Sequence, residues 1–540
     1  MNNLNFLVDV LKESPVFKTL EKNVKPGRTV CASGLSTINK SNIIYALCRL
    51  KGVTAFCLAS DEKEAQTLCN DLSCMGLRAY VYPVRDFNFL DFQSRSHEYE
   101  HARLKVLLKL INHECDVAIA CVDAAAQLTV PRNVLEQSVI EFEEGRELSF
   151  EKATKALTLL GYERFDAVEG SGQFSLRGGI LDFFMPDSDY PVRCEFWGDE
   201  ITDLSYFDIE TQRRFKKADK ITLSPSTEIV IEDRAALADK IEHKAKLLRS
   251  KNSAKAKEKL FSEAELIRSG AMIANADKFI NQIYDKPESL FDYLDRNTLV
   301  FASEFTAIQE RGKSMDFISN ETLMQGFEDG TLCRGFDRFA LTFNECTEFL
   351  QSHGTIVLEN FVHGSMPIKL SEIISFSTKQ LSAWGGSYKQ LKEDVDGLFT
   401  PESKGVIFAG TERAAKNLCD TFNADGINAV YSEGADKISK GELLVMQGAL
   451  SAGFEYPSQK FFAITYSQVS YRPEKSKKKK KKTGQEIYSL SELAPGDYVV
   501  HNVHGIGVFG GIRKIDTHGV IKDYIKIDYA KGDVLYVPVT

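Results

Sequence analysis

No two of the eleven cysteines stand in a CxxC spacing; the closest pairs are Cys69/Cys74 and Cys115/Cys121. That excludes a disulfide framework and the ligand spacings of zinc sites, and it fits reduced, mostly buried thiols in a cytosol. A secretory signal is missing as well: the opening MNNLNFLVDVLKESPVF has no basic start followed by an apolar run. No stretch approaches the roughly 20 consecutive apolar residues of a membrane helix. A cytoplasmic protein with no membrane partner and no structural metal is the expectation. An overall basic balance is lacking too. The formal net charge of −9 argues against a whole surface built for non-specific DNA binding.

What is present is an ordinary globular composition, with 43% hydrophobic and 26% charged residues. A chain of 540 residues exceeds one hydrophobic core, so about three to five domains are expected. Residues 30–130 alternate buried-strand runs (VTAFCLAS, RAYVYP, DVAIACV) with helical patterns, the mark of parallel βαβ units. Residues 148–208 pair one helix (FEKATKALTLLGY) with strands joined by glycine turns, an α+β insert. From Lys217 to about Ile318 the pattern is strongly helical. A second α/β pattern fills roughly 340–466, with GVIFAG, INAVYS, ELLVMQG and FFAITY as strands. Residues 487–540 turn β-rich, and dense glycines between β-branched runs indicate a small, curled antiparallel sheet.

The expected fold class is therefore multidomain α/β and α+β. Its parts are an NTPase-like domain over 1–130, an α+β insert over 131–210 and a helical continuation over 211–335. A second α/β domain follows over 336–470, then a lysine-rich linker over 471–485 and a small β-rich domain over 486–540.

Three motifs bear on chemistry. Gly34 to Ser41 follows a strand and opens a helix, and departs from the phosphate-cradling pattern GxxxxGK[ST] where Asn39 replaces the second glycine. A side chain there obstructs closure of backbone N–H groups around phosphate, although Lys40 and Ser41 survive. The strand expected to end in magnesium-handling acids reads VAIACVDAAAQ, with Asp123 but no Asp-Glu pair. Both departures point to a degenerate phosphate loop without hydrolysis of its own. The second motif is the unbroken run Lys477, Lys478, Lys479, Lys480, Lys481 and Lys482, in a segment without apolar residues. It reads as an extended, solvated linker, with contact to DNA phosphates through these six lysines as the sharper alternative. No candidate catalytic residue emerges.

The third motif, GYERFDAVEGSGQFSLRGGILDFFMPDSDYPVRCEFWGDEITDLSYFD, resembles the UvrA-binding domain shared by UvrB and bacterial transcription-repair coupling factors (Mfd). The resemblance assigns Arg164, Arg177 and the apolar Phe184 to UvrA contact, and Ser175 stands where UvrB carries another arginine. Arginine forks suit interface carboxylates in a way lysine does not. The region YPVRDFNFLDFQSRSHEYEHARL lacks the tyrosine-rich hairpin with which UvrB grips damaged DNA. The segments SLSELAPGDYVVHNVHGIGVFGGIRKI and DYIKIDYAKGDVLYVPV resemble the polymerase-interacting domain of coupling factors, a CarD/Tudor-like relative. Ile515 falls where an apolar contact to the RNA polymerase β subunit is expected, with Arg513 and Lys514 as a basic rim; a core position for Ile515 is the competing reading. The resemblance implies a transcription-coupled repair factor that docks on stalled polymerase and recruits UvrA. In the family an ATP- and Mg-dependent motor translocates double-stranded DNA; neither cofactor is expected for these 540 residues. A UvrB-type damage protein and a stand-alone CarD-like regulator are the alternatives.

Overall fold

The computed structural model describes residues 4–85, 97–137, 140–248, 253–270, 276–362, 366–381, 388–466, 496–501, 505–517, 520–529 and 534–538. It divides into two compact units, residues 1–471 and 472–540.

The first unit is organised on a seven-stranded parallel sheet, in the order Glu372–Ser375, Val30–Ser33, Thr355–Leu358, Leu299–Ser303, Ala55–Ala59, Val117–Cys121, Ala79–Tyr82. Its inner strands are buried on both faces, which is why they read as unbroken apolar runs. Helices Thr37–Lys51 and Glu62–Cys74 cover one side; Asp61 caps the second by accepting the Glu64 N–H at 2.7 Å. Three members differ from the sequence reading. Leu299–Ser303 sits in the middle of this sheet although it lies in the stretch read as helical. Thr355–Leu358 and Glu372–Ser375 join it from positions assigned to the second α/β region. Alternation shows that a segment is a strand; a parallel partner is reached through a crossover of any length, so the sheet it joins is not encoded locally.

A six-stranded sheet runs in the order Arg214–Lys217, Glu200–Phe207, Val192–Trp197, Ile180–Phe183, Gln173–Arg177, Glu163–Arg164. All its pairings are antiparallel except the last. Its apolar face (Phe174, Leu181, Phe183, Cys194, Leu204) packs on helix Phe150–Leu159 through Ala153 and Leu157. The second α/β region forms its own six-stranded sheet, with strand Lys404–Phe408 followed by helix Glu412–Ala424, whose Thr411 cap accepts the Ala414 N–H at 3.2 Å.

The second unit is a four-stranded antiparallel meander: Tyr498–His501, Gly505–Thr517, Val520–Asp528, Val534–Pro538. Its register shifts between Phe509 and Ile512, where Gly510 and Gly511 stand. Val499, Phe509 and Ile527 form its small core. Part of the stretch without a tyrosine cluster (86–96) and His504 lie outside the described residues. So do all six lysines of the basic run, Lys477, Lys478, Lys479, Lys480, Lys481 and Lys482, on which both the linker reading and its alternative, contact with DNA phosphates, fall.

Candidate docking surfaces

On the six-stranded sheet, strand alternation separates a buried apolar face from a charged one. Ser175, Arg177, Asp182, Arg193 and Glu195 share the second face by register. Asp182 is fully buried yet ionically satisfied: Arg193 donates to both its oxygens at 2.8 Å, and Arg177 Nη2 donates at 2.7 Å. Arg193 also stacks over the Phe207 ring at 4.3 Å. Arg177 therefore has one edge tied to the sheet while its side chain stays 47% exposed. A guanidinium held this way offers its remaining N–H groups to an incoming carboxylate at reduced ordering cost.

Phe184, half-buried, continues the same phase, because its N–H bonds to Gln173 O and the Gly172 N–H bonds to Phe184 O. Arg164 is exposed on the edge strand and pairs in parallel with Phe174, so its phase is opposite to that of Arg177. The two arginines share a sheet but are not placed on one face by register. Ser175 is buried beside Asp182, so it contributes no accessible group.

The segment that follows the insert, at Thr227 and Glu228, is tied to the parallel-sheet body by a charge knot invisible in the sequence. Arg103, fully buried on helix Glu98–Ile111, bonds Glu228 at 2.7 Å and lies 4.2 Å over the Tyr82 ring. Thr129 donates to the same Glu228 at 2.7 Å, and Arg85 pairs with Asp277 at 3.1 Å. Glu100 accepts from Thr227 and from the Glu228 N–H, both at 2.8 Å. Burial opposes ionisation of Glu100, but the His97 contact and the charge of Arg85 outweigh it and hold its carboxyl well below the usual range. A charged side chain in a helical stretch reads as surface, so no signal for this knot existed without the fold.

Around the phosphate-loop-like segment, Gly34 takes φ +78 and a Cβ there would meet Phe376 O at 2.2 Å. Asn39 is fully buried and accepts the Ser36 hydroxyl at 2.7 Å. The Lys40 ammonium, 2% exposed, donates to Glu304 at 2.6 Å, Ser303 at 2.8 Å and Glu64 at 3.2 Å. Those contacts use all of its donors. Ser41 donates to Asp71 at 3.3 Å. Asp123, past the end of strand Val117–Cys121, is held by Arg311 through contacts of 3.0 and 2.7 Å, and Arg311 also pairs with Glu62. Glu62, Cys121 and Asp123 bring ligand atoms within 4.8 Å of one another. Both carboxylates already share Arg311 as an ion-pair partner, and burial pushes the Cys121 thiol up to about 12.

In the four-stranded sheet, Ile515 pairs with Lys522, Arg513 with Tyr524 and Lys514 with Asp523. Tyr498, Val508, Asp528 and Val534 pair in one row across the sheet, and Tyr498 (81%) and Val534 (43%) are exposed.

Residues 140–229 match the UvrB interaction domain family, and residues 493–540 match the CarD-like/TRCF RID domain family. Across 98% of its length the chain is 29% identical to the transcription-repair-coupling factor of Bacillus subtilis, covering 46% of that protein. It is 26% identical over 85% of its length to the transcription-repair-coupling factor of Staphylococcus haemolyticus, covering 40%. The corresponding factor of Staphylococcus aureus aligns over 99% of the chain at 23% identity. The chain thus spans about half the length of the curated relatives it matches.

Proposed function

We propose that this chain, similar along nearly all its length to transcription-repair-coupling factors, carries the two docking functions of transcription-coupled repair: it binds RNA polymerase and recruits UvrA. The observation that carries the reading is the presence, in one chain and in this order, of a UvrB interaction domain and a CarD-like/TRCF RID domain. Arg177, Phe184 and the edge-strand residue Arg164 form the UvrA-facing set, although Arg164 has the opposite phase to Arg177. Ile515, with Arg513 and Lys514, contacts the polymerase β subunit.

The phosphate-loop-like segment is a relic. Lys40 is neutralised by Glu304 and Glu64, and Asp123 by Arg311, so the chain's own charges take the places of phosphate and magnesium. Nucleotide would have to displace buried ion pairs, which disfavours a UvrB-type enzyme. A stand-alone CarD-like regulator leaves the UvrB interaction domain without a role.

Co-purification tests this. Arg164→Ala plus Arg177→Ala removes UvrA and keeps polymerase, and Ile515→Arg removes polymerase and keeps UvrA. Failure of a folded wild type to bind either partner overturns the reading.

A further inference from the structure

The strands of the docking sheet hold two large apolar side chains out of the core, Phe215 and the more exposed Trp197. Trp197, at the end of strand Val192–Trp197, is 82% exposed, more than any other large hydrophobic among the described residues. Its neighbour Phe196 turns inward and meets the Phe150 ring edge-on at 5.2 Å. Trp197 and Glu200 flank a two-residue turn, Gly198-Asp199, with Gly198 at φ +64.

This turn is pinned. Leu148 N–H donates to Asp199 O at 2.7 Å, Phe150 N–H to Asp199 Oδ1 at 3.3 Å, and Glu147 bridges Glu200. A mobile tip could fold an indole down onto the sheet; this one presents it on a fixed support. Tryptophan carries one of the largest apolar surfaces of any side chain, and at interfaces it is enriched with arginine among the residues that dominate affinity.

Its position relative to Arg177 follows from the register. Arg177 pairs with Ile180, Ile180 with Glu195, and Trp197 lies two residues further along the same strand, in the same phase. The Phe196 N–H bonds to Gly179 O at 2.8 Å, which sets the Arg177 turn beside the Trp197 turn at one end of the sheet. Arg177 and Trp197 stand on strands two places apart, so about 10 Å separates them across the sheet, well inside one interface patch. The exposed guanidinium edge asks for a carboxylate and the indole for an apolar pocket.

We propose that Trp197 is the apolar anchor of the UvrA-facing surface, seated in a pocket of UvrA beside the acidic group that receives Arg177; this rests on the docking reading above. The chain has two tryptophans, so Trp384→Phe leaves Trp197 as the sole indole reporter. Titrating that variant with purified UvrA shifts the emission to the blue as the indole leaves water. Trp197→Ala lowers UvrA affinity at least tenfold with an unchanged melting temperature, and Trp197→Phe loses less. Polymerase binding is unaffected in both. If Trp197→Ala binds as wild type and the emission does not move while Arg177→Ala weakens binding, the anchor is overturned and the docking reading stands. If the folded wild type does not bind UvrA at all, both fall.

Discussion

Lys40 is a cation enclosed by the chain's own acceptors. Its ammonium lies in a site 2% exposed, between Glu64 and Glu304, with Ser303 as a third acceptor. Removing one partner of a buried ion pair leaves uncompensated charge, which costs about 3–5 kcal/mol. Lys40→Ala is therefore expected to lower the urea-unfolding free energy of the first unit by about 3 kcal/mol. The same variant leaves UvrA and polymerase binding intact, and isothermal titration detects no MgATP binding in wild type or variant. Glu359, close by, is pushed up to about 7 by burial and by the charge of Glu304, although the Phe305 N–H pulls the other way. The carboxylate supply around Lys40 is thus in excess of what one cation neutralises.

At the scale of elements, Asp71 ties the parallel-sheet body to the second α/β region. It sits on helix Glu62–Cys74 and accepts from Ser451 N–H and Oγ, both at 2.7 Å. Burial pushes its carboxyl up to about 6 from an ordinary 3.8, against the hydrogen bonds of Ser451 and Ser41. The folded state therefore holds the proton more tightly than the unfolded chain. The resulting stability is fully present below about 3.8 and is lost as pH rises through about 6. Two pKa units correspond to about 3 kcal/mol. Urea midpoints measured from pH 4 to pH 7.5 should show Asp71→Asn gaining on wild type as pH rises, approaching that amount. A constant difference across the range would mean that folding does not raise the Asp71 carboxyl above its ordinary value.

At the scale of the whole molecule, the two proposed docking surfaces fall in separate compact units, so each should respond only to substitutions in itself. The run Lys477 to Lys482 lies between the sheets of the two units in sequence. Replacing all six lysines by glutamine removes six charges from a chain whose net charge is −9. If the run meets DNA phosphates, duplex affinity falls and the slope of log affinity against log salt flattens by several units, at about 0.9 per phosphate contact. If it is only a spacer, duplex binding and its salt dependence do not change.

Periodicity and composition were enough to place most strands and helices, because apolar alternation and capping residues such as Asp61 and Thr411 act within a few residues of themselves. The two matched families were legible for the same local reason: their signatures, RGGILDFF and HNVHGIGVF, are continuous runs of sequence. What a strand pairs with was not legible, since Leu299–Ser303 enters the first sheet between strands that lie far from it in the chain. Nor was the opposite phase of Arg164 and Arg177, which depends on the parallel pairing of a two-residue edge strand. The Arg103–Glu228 knot, the Arg311 clamp on Asp123 and the exposure of Trp197 were likewise decided only by the tertiary structure. Each joins or exposes groups whose desolvation is set by neighbours distant in sequence, and burial is a property of the packed chain.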